Sequence, residues 1–189
     1  MSTVERSILT LCGCALVAIG APAADPPDPV PADLGAKVAK FAKDNLGKKV
    51  DDGECASLVV KALESAGAKT TLDYGVTGAD DDYKWGEAVE KYKDVRPGDV
   101  IQFRDVKIVV KKVVEVPGGG TQISTQTQVM SRHTAVVSKN SGDGKFSVLE
   151  QNTGPQGADE KARKVVQENV IDLGAKTEGK VWIYRPVLK

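Results

Sequence analysis

Residues 54–67 read Glu54-Cys55-Ala56-Ser57-Leu58-Val59-Val60-Lys61-Ala62-Leu63-Glu64-Ser65-Ala66-Gly67. Cys55, Leu58, Val59, Ala62, Leu63 and Ala66 recur at the three- and four-residue spacing of one helix face, and Gly67 supplies the stop. Asp51, Asp52 and Glu54 gather at the start, where the helix dipole favours negative charge. The spacing predicts a helix over 54–66 with a thiol in its first turn. A thiol is a nucleophile only as a thiolate, and a helix N-terminus or a neighbouring imidazolium lowers its pKa. Free cysteine is also a common buried hydrophobe, so the stripe alone leaves both uses of Cys55 open.

Working outward, Leu34, Val38, Phe41, Ala42 and Leu46 predict an earlier helix over 32–46, with Lys37, Lys40 and Lys43 turned away and Gly47 ending it. Beyond Gly67 the texture becomes β. The turn Arg96-Pro97-Gly98-Asp99 leads into a strand over 100–103, and β-rich runs over 107–116 and 121–130 flank Pro117-Gly118-Gly119-Gly120. Further strands are expected over 134–138, 146–151, 165–173 and 181–184. Two helices followed by antiparallel strands give an α+β fold, with N-terminal helices packed on a multi-stranded antiparallel sheet. The 107–128 insertion reads as an exposed hairpin, with a substrate flap as the alternative.

The 189 residues are 41% apolar and 28% charged, with 26 basic and 26 acidic side chains. That balance offers no bulk-charge argument for nucleic acid or a membrane surface. Arg6, an apolar run over 8–20 and the small residues Ala21-Pro22-Ala23 predict a signal peptide over 1–23, hence a secreted, periplasmic or cell-envelope protein. The run falls short of the roughly 20 residues a spanning helix needs, so no membrane span is expected after processing. Leu11-Cys12-Gly13-Cys14 loosely resembles a lipoprotein box, whose alternative outcome is an envelope protein anchored through Cys14. Residues 24–31 form a proline-rich linker, and 32–189 read as one domain. Without the leader, Cys55 is the sole thiol and His133 the sole imidazole, which excludes an internal disulfide and a Cys/His zinc site. Asp51, Asp52 and Asp80-Asp81-Asp82 lack a full calcium ligand pattern, so no metal or cofactor is expected.

If 132–139 and 145–152 form a hairpin with Ser141-Gly142 at its tip, residue 139 faces 144 and His133 faces Glu150. Side chains opposite one another in an antiparallel pair share a face. A carboxylate there fixes the imidazole tautomer and frees the other nitrogen to act as base. Asn152 lies two residues on, on the same face. A bulge would shift this register by one, and a surface ion pair is the alternative use of the same two residues.

The order Gly53-Glu54-Cys55, Tyr83, Trp85-Gly86, Arg96-Pro97-Gly98-Asp99-Val100-Ile101-Gln102-Phe103, His133-Thr134-Ala135-Val136-Val137 and Val148-Leu149-Glu150-Gln151-Asn152 resembles the CHAP family. That family is related to the NlpC-type peptidases of the papain-like superfamily. The resemblance runs over about 36–152, and Trp182-Ile183-Tyr184-Arg185-Pro186 suits its last strand. It implies a papain-like (NlpC/CHAP-type) fold and a catalytic set of Cys55, His133 and Glu150 with Asn152 nearby. It also implies amide hydrolysis in a peptide or peptidoglycan stem peptide; Trp85 and Arg132 are the expected substrate-binding residues, and a monomer is expected. Arg132 stands where the family usually has glycine, and predicts preference for a substrate carboxylate. Glu54 beside Cys55 would raise a thiol pKa and is expected to face outward. Residues 98–105 also resemble a domain attached to some fungal cytoskeletal adaptors, which keeps roles outside cell walls open. The expected function is an exported cysteine amidase or endopeptidase; the alternative is a catalytically silent CHAP-like module that binds peptides or glycopeptides.

Overall fold

The computed structural model describes residues 32–78, 81–115, 117, 119–154, 157 and 159–189. The expected leader and linker, with Cys12 and Cys14, lie outside the described residues, as does Asp80. Helix α1 spans Ala32–Asp44 and α2 spans Cys55–Ala66. Glu54 caps α2 in an extended conformation, and Gly67 closes it at φ 75°, its N–H bonding to the carbonyls of Leu63 and Glu64. The left-handed turn there suits glycine, which has no Cβ to clash. Leu58, Val59, Ala62, Leu63 and Ala66 are buried, as their spacing requires. Leu46 departs from its stripe: α1 stops before it, and it forms a parallel bridge to Val166 instead.

Among the described residues six strands follow: β1 (Glu87–Ala88), β2 (Val100–Glu115), β3 (Thr121–Gly142), β4 (Lys145–Glu150), β5 (Gln167–Asp172) and β6 (Lys176–Arg185). A one-turn helix α3 (Glu160–Arg163) precedes β5. The sheet is antiparallel throughout, in the order β1-β6-β2-β3-β4-β5. One face carries Val100, Val136 and Leu149 onto α1 and α2, with Trp85 in the same core. The other carries Ile101, Phe103, Ala135, Val137, Phe146 and Val148 into a second core with Ile171 and Ile183. Successive residues of β2, β3 and β4 therefore enter different cores, which is why these strands read as apolar runs without polar alternation.

Two expected breaks are absent. The runs 100–103 and 107–116 are one strand, as are 121–130 and 134–138. Neither junction holds Gly or Pro, and Asp105 absorbs the irregularity at φ 52° beside a bulge against β6. The β3–β4 turn is also displaced: Gly142 pairs with Lys145 around Asp143-Gly144, both at positive φ, instead of turning at Ser141-Gly142. Asp-Gly is the preferred dipeptide of a two-residue hairpin loop with that handedness.

Candidate active site

Strand β4 ends at Glu150, and the next residue positions the nucleophile. Gln151 is fully buried. Its Oε1 accepts from the Val50 N–H at 3.2 Å, and its Nε2 donates to the carbonyls of Val50 (3.0 Å) and Glu54 (2.7 Å). The loop before α2 thus hangs on the end of β4. Beyond Val136, where β4 pairing stops, the start of α2 takes the place of a neighbouring strand. Cys55 there accepts a hydrogen bond from the Thr134 N–H.

His133 Nε2 lies 2.6 Å from Glu150 Oε2, both side chains being almost fully buried. The imidazole is also hydrogen-bonded to Cys55, and with Nε2 committed to the carboxylate this contact falls to Nδ1. Sulfur, imidazole and carboxylate form one chain. The expected register is corrected, however. The later turn displaces the pairing by four residues and two bulges restore two, so Val136 faces Leu149 and Glu150 is the diagonal neighbour of His133. The net change is even, so both side chains keep the same face.

Asn152 does not back this pair. It sits at φ 55°, gives its amide N–H to Glu54 Oε2 at 2.6 Å and accepts from Arg163 Nη2 at 2.9 Å. Glu54 is further paired with Lys164 at 3.4 Å, so this carboxylate beside the thiol is neutralised by its own partners. The asparagine that supports Glu150 is Asn169 on β5, whose Nδ2 donates to Glu150 Oε1 at 2.8 Å; the Thr153 hydroxyl adds a further bond.

The expected substrate contact of Trp85 is corrected as well, while Arg132 stays half-buried with local partners. Trp85 is a core residue with no exposed surface; its Nε1–H donates to Gln102 Oε1 at 3.0 Å, and its ring meets the edge of Tyr83. Arg132 pairs with Arg104 across β2 and β3, and its Nη2 donates to the Asp81 carbonyl at 3.2 Å. Adjacent strand residues point to opposite faces, so Arg132 leans away from His133 and, with the Arg104–Asp82 ion pair, fastens the 81–82 segment.

Electrostatics favour charge separation. Burial pushes the Cys55 thiol up, but the His133 hydrogen bond and charge, with the N–H groups of Thr134 and Ala56, hold it below its ordinary 9.0. Burial likewise opposes a charged imidazole, yet its bonds to Cys55 and Glu150 and their charges raise His133 to about 10. Burial also works against the Glu150 carboxylate; His133, Asn169 and Thr153 nevertheless keep it below its ordinary 4.5. These opposing shifts are the signature of a thiolate–imidazolium pair backed by a carboxylate. Among the described residues no cluster of three or more His, Cys, Asp or Glu is placed to hold a metal ion.

Gln151 and Asn169 escaped the sequence reading. Gln151 is in phase with Leu149 toward the helices, a polar residue where the pattern calls for an apolar one. Asn169 is in phase with Ile171, but its meeting with Glu150 depends on the β4–β5 register, which no tight turn sets.

A family model, AIM3/BBC1 Cysteine proteinase-fold domain, matches residues 29–189. No curated protein and no solved structure matches the chain.

Proposed function

The chain belongs to the AIM3/BBC1 cysteine proteinase-fold family, with the papain-like architecture that name carries, and from this premise we propose that it is a thiol hydrolase of peptide amide bonds. The observation that carries the reading is the continuous contact from Cys55 through His133 to Glu150. The sulfur attacks a carbonyl carbon as a thiolate, forming a C–S bond. The Cys55 N–H in the first turn of α2 serves as a donor to the developing oxyanion. The His133 imidazolium protonates the departing amine, which leaves a thioester on Cys55 and a neutral imidazole. Water, deprotonated by His133, then cleaves the thioester and restores the thiolate–imidazolium pair. Glu150 does not take the proton; it orients the ring and stabilises its charge, with Asn169 and Thr153 holding the carboxylate.

A stem peptide of a cell wall is the narrower substrate the CHAP resemblance implies, and an unstructured polypeptide is the alternative. Export through residues 1–23 belongs to the same proposal and predicts a mature chain beginning at Ala24. The test is incubation with a muropeptide mixture and with unstructured polypeptides, products being read by mass spectrometry. The proposal expects new amine and carboxylate termini that require both Cys55 and His133. Cleavage of neither class, with slow alkylation of Cys55, would leave a binding module without turnover.

A further inference from the structure

Among the described residues, no strand pairs with the edge of β3 where it leaves β4. Pairing with β4 begins only at Val136, while β3 stays paired to β2 in one unbroken register from Glu115↔Thr121 to Val100↔Val136. In an antiparallel ladder, alternate residues direct their N–H and C=O to opposite edges. Val137 bonds toward the β2 side, through Asp99, and Thr134 gives its N–H to Cys55 on the other side. Gln126, Gln128 and Met130 are in phase with Thr134, so their main-chain groups face the open edge. That line of donors and acceptors leads directly to the sulfur, Gln128 lying about 20 Å from Thr134 at strand rise.

Natural sheets protect such edges with charge, proline or bulges. Residues 121–131 contain no charged residue and no proline or glycine, and their pairing with β2 is free of bulges. Beside this edge lies a groove of about 860 Å³, walled on one side by residues 126–130 and on the other by Thr153, Gly154 and Arg163, with Glu150 and Asn169 also lining it. Arg163 in the far wall is held in place by its Nη2 bond to Asn152 Oδ1 at 2.9 Å. A groove with two walls admits a single strand. The β3 edge of a second copy would bring β2 with it and meet the far wall, strands being about 4.8 Å apart.

We propose that the open edge of β3 and its groove bind an extended peptide as an added strand and lead it toward Cys55. Specificity then comes from main-chain bonds over several residues, so the substrate class is an unstructured polypeptide segment and not a small amide. Delivery to the thiol rests on the hydrolase reading above; binding in the groove does not.

The test uses the full chain carrying Cys55→Ala, immobilised and exposed to a pool of synthetic twelve-residue peptides, with retained peptides identified by mass spectrometry. Retained peptides are expected to slow amide hydrogen exchange at Gln126, Gln128 and Met130 by at least tenfold. Gln128→Pro removes an outward N–H without touching the β2 ladder, and is expected to lower retention at least tenfold. N-methylation of alternate amides in a retained peptide should have the same effect, which covers a failure of the proline variant to fold. Retention of no peptide, or retention indifferent to both changes, overturns the proposal, as does a dimer that sediments as such only while this edge is intact. Peptides that protect the edge but stay uncut by the chain with its native thiol uphold the groove and remove the hydrolase. Cleavage without edge protection does the reverse.

Discussion

Replacing Glu150 with Gln keeps the shape of the site and removes one buried charge 2.6 Å from His133 Nε2. For charge centres about 4 Å apart at an effective dielectric of about 20, the interaction amounts to about 4 kcal/mol. A glutamine carbonyl still accepts a hydrogen bond from the imidazole, and a bond to an ionised acceptor exceeds a neutral one by about 1–2 kcal/mol, which sets the lower end of the loss. A net loss of about 2–3 kcal/mol corresponds to roughly a 30- to 150-fold smaller imidazolium population at a pH where the pair is otherwise formed. The thiolate depends on that imidazolium. The assay is alkylation of Cys55 by iodoacetamide across pH, followed by intact mass. At pH 6 the variant should react about 30- to 100-fold more slowly. Near pH 9.5 the two rates should converge to within a few-fold, because solution pH alone then generates thiolate. Superimposable pH–rate curves for the native chain and Glu150→Gln would refute the view that Glu150 maintains the charge on His133.

Four further outcomes follow from the same geometry. Asn169→Ala, which removes the 2.8 Å bond to Glu150 Oε1, should lower the pH 6 alkylation rate about tenfold, the equivalent of a hydrogen bond of about 1.4 kcal/mol. Asn152→Ala should leave the shape of that pH profile unchanged. Gln151→Leu strips three hydrogen bonds from the loop before α2 and leaves buried main-chain groups unpaired; chemical denaturation should show about 2–4 kcal/mol less stability. The stability advantage of the native chain over Glu150→Gln should also depend on pH. The raised pKa of His133 contributes stability that is full below 6.5 and lost as pH climbs toward about 10. The lowered pKa of Glu150 contributes stability present above 4.5 and lost as pH falls. Thermal unfolding should therefore separate the two proteins most between pH 4.5 and 6.5, and less on either side.

What the amino-acid order discloses about this fold is mainly local. Helix α2 was legible because Leu58, Val59, Ala62 and Leu63 repeat at helical spacing and Gly67 ends the run, which also places Cys55 at a helix start. The lengths of β2 and β3 were not, because residues 104–105 and 131–133 are polar without breaking an extended chain. His133 and Glu150 were found together although the turn was misplaced: face identity survives any even shift in register, and the net shift was two. Asn152 failed for the complementary reason, since its left-handed φ turns the chain out of the strand just where simple alternation would have kept it in line. Trp85 illustrates a different limit. An indole carries both a large apolar body and a donor, and nothing local distinguishes a ring that receives substrate from one whose N–H is spent on a buried Gln102.

The proposed chemistry requires a charged imidazole at His133. His133 is the only histidine of the chain, so a single set of ring signals in a ¹⁵N–¹H NMR titration reports its state without assignment by mutation. At pH 8 both ring nitrogens are predicted to carry protons, with the titration midpoint near 10 and lowered on Cys55→Ala. A ring that is neutral at pH 8 and titrates near 6.5, unchanged by Cys55→Ala, would contradict the thiolate–imidazolium pair and the hydrolase built on it.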